Sequence, residues 1–334
     1  MTWRLMCSVF PPFPASVAAD FPVKRFHGFQ KDLVSEAIHH LALGFFDGVH
    51  LGHQAVIRAE PVRPRPETSG VLTFWPHPMA TLAPAHAPVL LTSQEEKIEI
   101  LHGMGLGYCI IIPFDQAFSQ IPAPRFLDQL EMFFPRLKSL SVGPNFRFGH
   151  QRQGTPVTLA EWADKKDLRF YLADFFLKEG HPVSSTRIRE LLTQGKISQA
   201  NALLSRPFRL SGTVEKGAQM GKHLGFPTAN IAVSKRFKLP LGVYAAIGRL
   251  PGGQKRGAAV NIGKRPTFNR SSNPVVEAHL LEWSGNLYDQ KMELNLIEFL
   301  RPEHTFNNRT ELIAQIEEDI HQCQSLVGPH LEAE

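Results

Sequence analysis

Two histidines, His50 and His53, flank Gly52 in the string Gly44-Phe45-Phe46-Asp47-Gly48-Val49-His50-Leu51-Gly52-His53. The apolar run Leu41-Ala42-Leu43 precedes it, and the helix-like Gln54-Ala55-Val56-Ile57-Arg58-Ala59-Glu60 follows. The local pattern is strand, glycine-bearing turn, helix start. Free backbone N–H groups and the positive end of a helix dipole meet at such a turn, which suits a phosphate. Imidazole donors at His50 and His53 add to that. Gly48 and Gly52 lack side chains, so an anion can approach the backbone closely. The chemistry implied is chemistry on a polyphosphate. The alternative for two such histidines is a surface pair or half of a metal site, but no Cys or further His lies nearby in sequence to complete a zinc set.

Three more groups have suitable types. Ser184-Ser185-Thr186-Arg187-Ile188-Arg189 stands at a helix start, where hydroxyls, N–H groups and a planar guanidinium fork can bind phosphate. The plain reading of the same residues is an N-cap with solvent-facing arginines. Gly217, Gly221 and Gly225 precede Pro227-Thr228-Ala229-Asn230. A glycine-rich loop there can wrap a phosphate, while the Thr228 hydroxyl and the Asn230 amide oxygen are hard ligands suited to Mg²⁺. In Val275-Val276-Glu277-Ala278-His279-Leu280, strand alternation puts Glu277 and His279 on one face and Val276, Ala278 and Leu280 on the other. A carboxylate so placed can accept a proton from an attacking hydroxyl; a solvated strand face is the bland reading.

The elements that must carry these residues change along the chain. Strands are expected at Leu41–Leu43, Val71–Phe74, Tyr108–Ile112 and Leu140–Val142. Helices are expected at Glu96–Met104, behind the capping residues Thr92 and Ser93, and at Pro124–Phe134. This β-α-β-α order predicts a parallel sheet covered by helices, with ligands at the carboxyl ends of its strands. Helices follow at Arg187–Leu192 and Ile197–Leu204. After Ser205 come short strands at Phe208–Val214, Gly242–Gly248, Arg256–Asn261, Val275–Leu281 and Met292–Phe299, a pattern for an antiparallel barrel or sandwich. A closing amphipathic helix carries Leu312, Ile313, Ile316 and Ile320 on one stripe, capped by Asn308 or Thr310.

With 334 residues, two domains are expected. A formal charge of +5 suits an anionic small substrate. No basic run interleaved with aromatics points to nucleic acid, and no apolar stretch is long enough for a bilayer. Cys7, Cys109 and Cys323 are widely spaced, which fits a reducing cytoplasm rather than a disulfide framework. Pro11, Pro12 and Pro14 interrupt any secretory apolar region, leaving residues 1–26 as a lead of unassigned role.

The His50–His53 string resembles the signature of HxGH nucleotidyltransferases, most of all bacterial FAD synthetases. Thr73-Phe74-Trp75-Pro76-His77-Pro78 and Val142-Gly143-Pro144-Asn145-Phe146-Arg147-Phe148-Gly149 are similar to further strings of that family, and the P-T-A-N core resembles riboflavin kinases. Gly242–Ala245, Asn261–Phe268 and Leu300–Glu303 add support. The resemblance is to bifunctional riboflavin kinase/FAD synthetases, from about Leu41 to about Asp319. It implies a Rossmann-like α/β HxGH nucleotidyltransferase domain over 27–205, then a mostly antiparallel β-barrel kinase domain over 206–330 with a C-terminal helix. It implies phosphorylation of riboflavin to FMN and adenylylation of FMN to FAD, each with ATP and Mg²⁺. It also implies catalytic roles for His50, His53 and Glu277. Nucleotide or phosphate contacts would come from Gly48, Gly52, Asn145, Ser185, Thr186, Arg189, Gly217 and Gly221. Flavin contacts would come from Phe74, Pro76, Pro78 and Arg301, and metal ligation from Thr228 and Asn230. Two positions depart from the pattern. Phe45 replaces an Asn, with packing the expected role, and Asp289 follows Tyr288 where Gly is usual. Competing readings are a cytidylyltransferase, disfavoured by the P-T-A-N string, and a flavin sensor without turnover.

Overall fold

The computed structural model describes residues 24–29, 37–59, 68–217, 220–233, 237–263 and 274–332. Six parallel strands come first: β1 (Lys24–His27), β2 (His40–Leu43), β3 (Ser69–Trp75), β4 (Tyr108–Pro113), β5 (Ser139–Val142) and β6 (Arg169–Leu172). Their order across the sheet is β1-β4-β3-β2-β5-β6. The connecting helices are α1 (Leu51–Ile57), α2 (Pro78–Leu82), α3 (Gln94–Gly103), α4 (Gln116–Ser119), α5 (Ala123–Phe133) and α6 (Pro156–Lys165). Strand side chains alternate between two cores. Leu41, Leu43, Leu72, Ile110, Ile112 and Leu140 face α5, while Ala42, Val71, Cys109 and Ile111 share a cluster with Val56, Ile98 and Leu101. Both faces are apolar because both are covered by helices.

The order of the strands reverses at β2. Strands β3 and β4 are added on one side of it, and β5 on the other. The gap outside the carboxyl ends of β2 and β5 is therefore the topological switch point, where such sheets bind ligands. Strand β2 runs into the Gly44–His53 string and β5 into Gly143–Gly149.

A two-stranded ribbon, β7 (Leu177–Lys178) with β8 (His181–Pro182), is followed by α7 (Ser185–Thr193) and α8 (Ile197–Leu204). Then six antiparallel strands close a barrel: β9 (Phe208–Glu215), β10 (Ala229–Val233), β11 (Gly242–Arg249), β12 (Lys255–Gly263), β13 (Val275–Leu280) and β14 (Lys291–Pro302). The short α9 (Met220–Leu224) precedes β10, and α10 (Arg309–Glu332) ends the described chain. Inside the barrel are Leu210, Ile231, Tyr244, Ala258, Val260, Val276, Ala278 and Leu294. A separate cluster of Ala245, Ile247, Ile297, Cys323 and Val327 lies between the outer barrel face and α10. Asn308 caps α10, its side chain accepting from the Glu311 N–H at 2.9 Å.

Contacts divide the chain into two units. One comprises Met1–Val49, His53–Ala87 and Gln94–Phe175; the other comprises His50–Gly52, Pro88–Ser93 and Phe176–Glu334. The second begins ahead of Ser205, because Ile188, Leu192, Ile197 and Leu203 of α7 and α8 are buried in the barrel unit's core. Several elements were not expected from the sequence. Strand β1 takes Lys24–Phe26 out of the supposed lead, and β10 carries Asn230. Helix α6 and strand β6 complete the sheet. Helix α1 begins at Leu51, inside the histidine string, rather than at Gln54.

Candidate functional site

The turn after β2 is held in a demanding conformation. Phe46 (φ 55°), Gly48 (φ 82°) and Val49 (φ 39°) all lie in the left-handed region. For Phe46 and the β-branched Val49 this costs on the order of 1 kcal/mol or more each, and such strain persists only where the surroundings enforce it. Phe46 and Val49 are buried. The Phe46 ring meets the His53 ring edge-on, with centroids 5.4 Å apart. The Phe45 carbonyl accepts from the Thr73 hydroxyl at 2.9 Å and from the Lys97 ammonium at 2.8 Å. The Phe45 ring lies against that of His77 at 4.4 Å, so the side chain packs as expected.

His50 is 4% exposed, and its pKa is lowered to about 3. Burial is the main cause, and the positive charges of Arg206 and Arg189 add to it. The ring is therefore neutral at physiological pH and keeps one N–H donor. Gly52 is needed for packing: a Cβ there would lie 3.0 Å from the Val183 carbonyl oxygen and 3.2 Å from the His50 ring. Ser184 is the N-cap of α7 and accepts from the Arg187 N–H at 3.2 Å, placing Ser185 and Thr186 in the first turn. The two arginines of that helix diverge. Arg187 donates to the carbonyls of Lys178 and His181 in the ribbon, whereas Arg189 donates through Nε to the Val89 carbonyl at 2.7 Å. Of these two helix arginines, it is Arg189 that lowers the His50 pKa. Arg206, on the turn after α8, has the larger effect there, and no motif in the sequence marks it.

Asn145 is exposed on the turn that leaves β5. Phe148 is a core residue, its ring stacked on that of Phe146 and tilted against that of Phe126, so it packs rather than facing a ligand. Phe74 is also in the core, 8% exposed and against Phe114 and Phe118. Pro76 stays exposed, and Pro78 opens α2 behind His77, whose ring caps the Met79 N–H at 3.0 Å.

On the barrel, burial along β13 alternates, so Glu277 and His279 face outward. Strand register puts Glu277 directly between Asn230 of β10 and Asn261 of β12. Residues paired in this way project to the same side. Partial burial raises the Glu277 pKa above the usual carboxylate value. A Cβ on Gly217 would lie 2.2 Å from the Asn230 amide nitrogen, and one on Gly221 would lie 2.4 Å from the Phe226 carbonyl oxygen and 3.4 Å from the Thr228 hydroxyl. Both glycines therefore lie against the Thr228–Asn230 segment. The glycine-bearing segment is not all loop, since Gly221 lies within α9. His279, unassigned from sequence, donates from Nδ1 to the Pro227 carbonyl at 2.9 Å, and its ring meets that of Phe226. It thus anchors the residues just before Thr228.

Arg301 sits at the end of β14, not in a turn before α10. Its guanidinium pairs with both Asp319 oxygens, at 2.8 and 2.7 Å. Asp289 adopts φ 64°, so an Asp takes up the left-handed turn conformation that glycine usually supplies. Lys264–Phe268 lie outside the described residues.

A family model described as FAD synthetase matches residues 34–187, and one described as riboflavin kinase matches residues 204–327. A bifunctional riboflavin kinase/FMN adenylyltransferase of Listeria monocytogenes is 35% identical over 283 residues, 84% of this chain and 89% of that protein. The Escherichia coli K12 protein of the same name is 34% identical over 281 residues, 84% of this chain and 90% of its own. A solved Streptococcus pneumoniae structure, described as a macrolide-efflux protein, shares the fold with a TM-score of 0.81 at 24% identity, covering 90% of this chain and 98% of that one. A parallel-sheet nucleotidyltransferase followed by a closed-barrel kinase is the class to which these features belong. The chain is a member of the bifunctional riboflavin kinase/FMN adenylyltransferase family.

Proposed function

We propose that the chain carries out both reactions of its family and that the residues above divide the work as follows. In the kinase reaction, riboflavin becomes FMN. Glu277 takes the proton from the 5′-hydroxyl as that oxygen attacks the γ-phosphorus of ATP, and ADP leaves. Thr228 and Asn230 offer hydroxyl and amide oxygens to Mg²⁺, and the close approach of Gly217 and Gly221 supports that fit by leaving no side chain over the segment. The ion, when bound, neutralises charge on the phosphates. In the second reaction the FMN phosphate attacks the α-phosphorus of a second ATP, pyrophosphate leaves, and FAD forms. Here the protein supplies position and charge. His50 and His53 donate to phosphate oxygens, and Gly48 and Gly52 keep the backbone accessible. Ser185, Thr186 and Arg189 bind phosphate, and Asn145 binds the nucleotide. Pro76 and Pro78 take the flavin in the sheet unit, with Phe74 behind them in its core, and Arg301, held by Asp319, takes the flavin in the barrel unit.

The observation that carries the kinase assignment is the register of Glu277 between Asn230 and Asn261. For the transferase it is the placing of the His50–His53 and Asn145 strings after the two strands flanking the switch point. Small-molecule substrates, with no nucleic acid or membrane partner, complete the reading; among the described residues no helix is long and apolar enough to cross a membrane. A cytoplasmic location is part of it, supported by the buried free thiols of Cys109 and Cys323. The test is a time course with riboflavin, ATP and Mg²⁺, resolving riboflavin, FMN and FAD, repeated with a chelator. FMN followed by FAD, both lost on chelation, is expected. Tight flavin binding without turnover would replace the enzyme reading with a sensor.

A further inference from the structure

Lys97 has no part in either reaction as described, yet it is among the most buried charged residues of the sheet unit, at 3% exposure. It reaches from α3 beneath the turn that follows β2. Its ammonium donates to the Phe45 carbonyl at 2.8 Å and to the Thr73 hydroxyl at 3.3 Å, and lies 4.4 Å from the centre of the Phe45 ring. Thr73 donates to the same carbonyl. One carbonyl oxygen thus joins the histidine string, strand β3 and helix α3. Beyond that carbonyl lie the left-handed residues Phe46 and Val49, and the Phe46 ring abuts His53.

Simple gap filling does not account for this arrangement. Thr73 alone would satisfy the carbonyl, and a methionine would fill similar space without the cost of burying a charge. A buried ammonium is worth retaining where it enforces a backbone conformation that the chain would otherwise relax. We propose that Lys97 is a positioning residue for adenylyl transfer, its ammonium clamping the Phe45–Val49 turn so that Phe46 holds the His53 ring in place. The proposal rests on the adenylyltransferase reading. The charged and titratable groups bearing on Lys97 are Asp47 from the turn, which favours its protonated form, and Cys109 from β4. Burial outweighs both and lowers its pKa to about 8, so the clamp weakens at mildly alkaline pH.

The test compares wild type, Lys97→Met and Lys97→Arg, each assayed for FMN adenylylation and for riboflavin phosphorylation in the same full-length preparation. Lys97→Met should lower kcat for FAD formation by about 30-fold or more, with KM for FMN changed little and phosphorylation within about twofold, as expected when a group is misplaced rather than removed. Lys97→Arg, which keeps its charge to high pH, should recover most of the rate and hold it above pH 8, where wild type declines. Equal adenylylation by wild type and Lys97→Met would overturn the proposal. So would Met and Arg variants equally impaired with phosphorylation intact, because size and not charge would then matter. If Lys97→Met does not fold, the pH profiles decide: coincident wild-type and Lys97→Arg profiles between about pH 7 and pH 9.5 reject the clamp. Wild type that makes no FAD at all would sink the adenylyltransferase reading, and this proposal with it.

Discussion

Replacing Gly217 with alanine probes the barrel site through a single methyl group. The added Cβ would lie 2.2 Å from the Asn230 amide nitrogen, 2.4 Å from its carbon and 2.6 Å from its oxygen, whereas ordinary contact begins near 3.4 Å. Backbone on either side resists movement, since Asn230 is paired in β10 with both Glu215 and Glu277. The amide is therefore the part that yields, by roughly 1 Å. A displacement of that size at a positioning group costs about 10²-fold in rate, equivalent to about 2.7 kcal/mol of barrier. Gly217→Ala should lose about 10²-fold in FMN formation from riboflavin, with a raised Mg²⁺ requirement, while FMN supplied directly is still converted to FAD at the wild-type rate. Coupled detection of ADP for the first reaction and pyrophosphate for the second separates the two. Phosphorylation within threefold of wild type would refute the argument that glycine is required there to admit the Asn230 side chain.

Three other outcomes follow from the same geometry. Because burial raises the Glu277 pKa, and a general base works only when deprotonated, kcat/KM for riboflavin should fall with decreasing pH at a point above the ordinary carboxylate range; Glu277→Gln should remove both that limb and the activity. The His50 pKa is lowered to about 3, so below its unfolded value near 6.5 the unfolded chain binds the extra proton; stability is complete above that value and should fall by about 1.4 kcal/mol per pH unit toward 3, or about 2 kcal/mol by pH 5. Urea melts of wild type against His50→Gln isolate this term, and parallel pH dependences would exclude it. Asp319→Ala leaves the Arg301 guanidinium without its bidentate partner on a side chain that is 20% exposed, and should cost about 3 kcal/mol in the barrel unit; a loss below about 0.5 kcal/mol would show the pair to be neutral.

Much of this was legible in the residues. The run Tyr108–Ile112 announced a strand covered on both sides, and the alternation of Val276, Glu277, Ala278, His279 and Leu280 gave the inner and outer faces of β13. What escaped had physical reasons. Strand β10 begins two residues after Pro227 and has only five residues, so its local pattern is too short to register; it becomes a strand through pairing with β9 and β13. Strand β6 is partly exposed, with Leu172 outside, so its alternation is weak. The stripe expected on α10 proved to be its half-buried flank. The deeper seam is Asp319, Cys323 and Val327, whose burial depends on Arg301 and on the outer barrel face rather than on helix periodicity. Phe74 in a motif string suggested ligand contact, yet the ring lies in the core because β3 is central to the sheet. The influence of Arg206 on His50, and the reach of Lys97 to Phe45, join residues more than fifty positions apart in one case and well over a hundred in the other, and only the folded chain reveals them.

The central claim is that one chain holds two chemically separate sites, with Glu277 serving phosphorylation and His53 serving adenylylation. The most direct measurement is product analysis of His53→Ala and Glu277→Ala beside wild type, starting once from riboflavin and once from FMN. The account predicts that His53→Ala accumulates FMN and stops, and that Glu277→Ala makes nothing from riboflavin yet turns added FMN into FAD. Loss of both steps in either folded variant, or FAD formation from riboflavin by both, would contradict it.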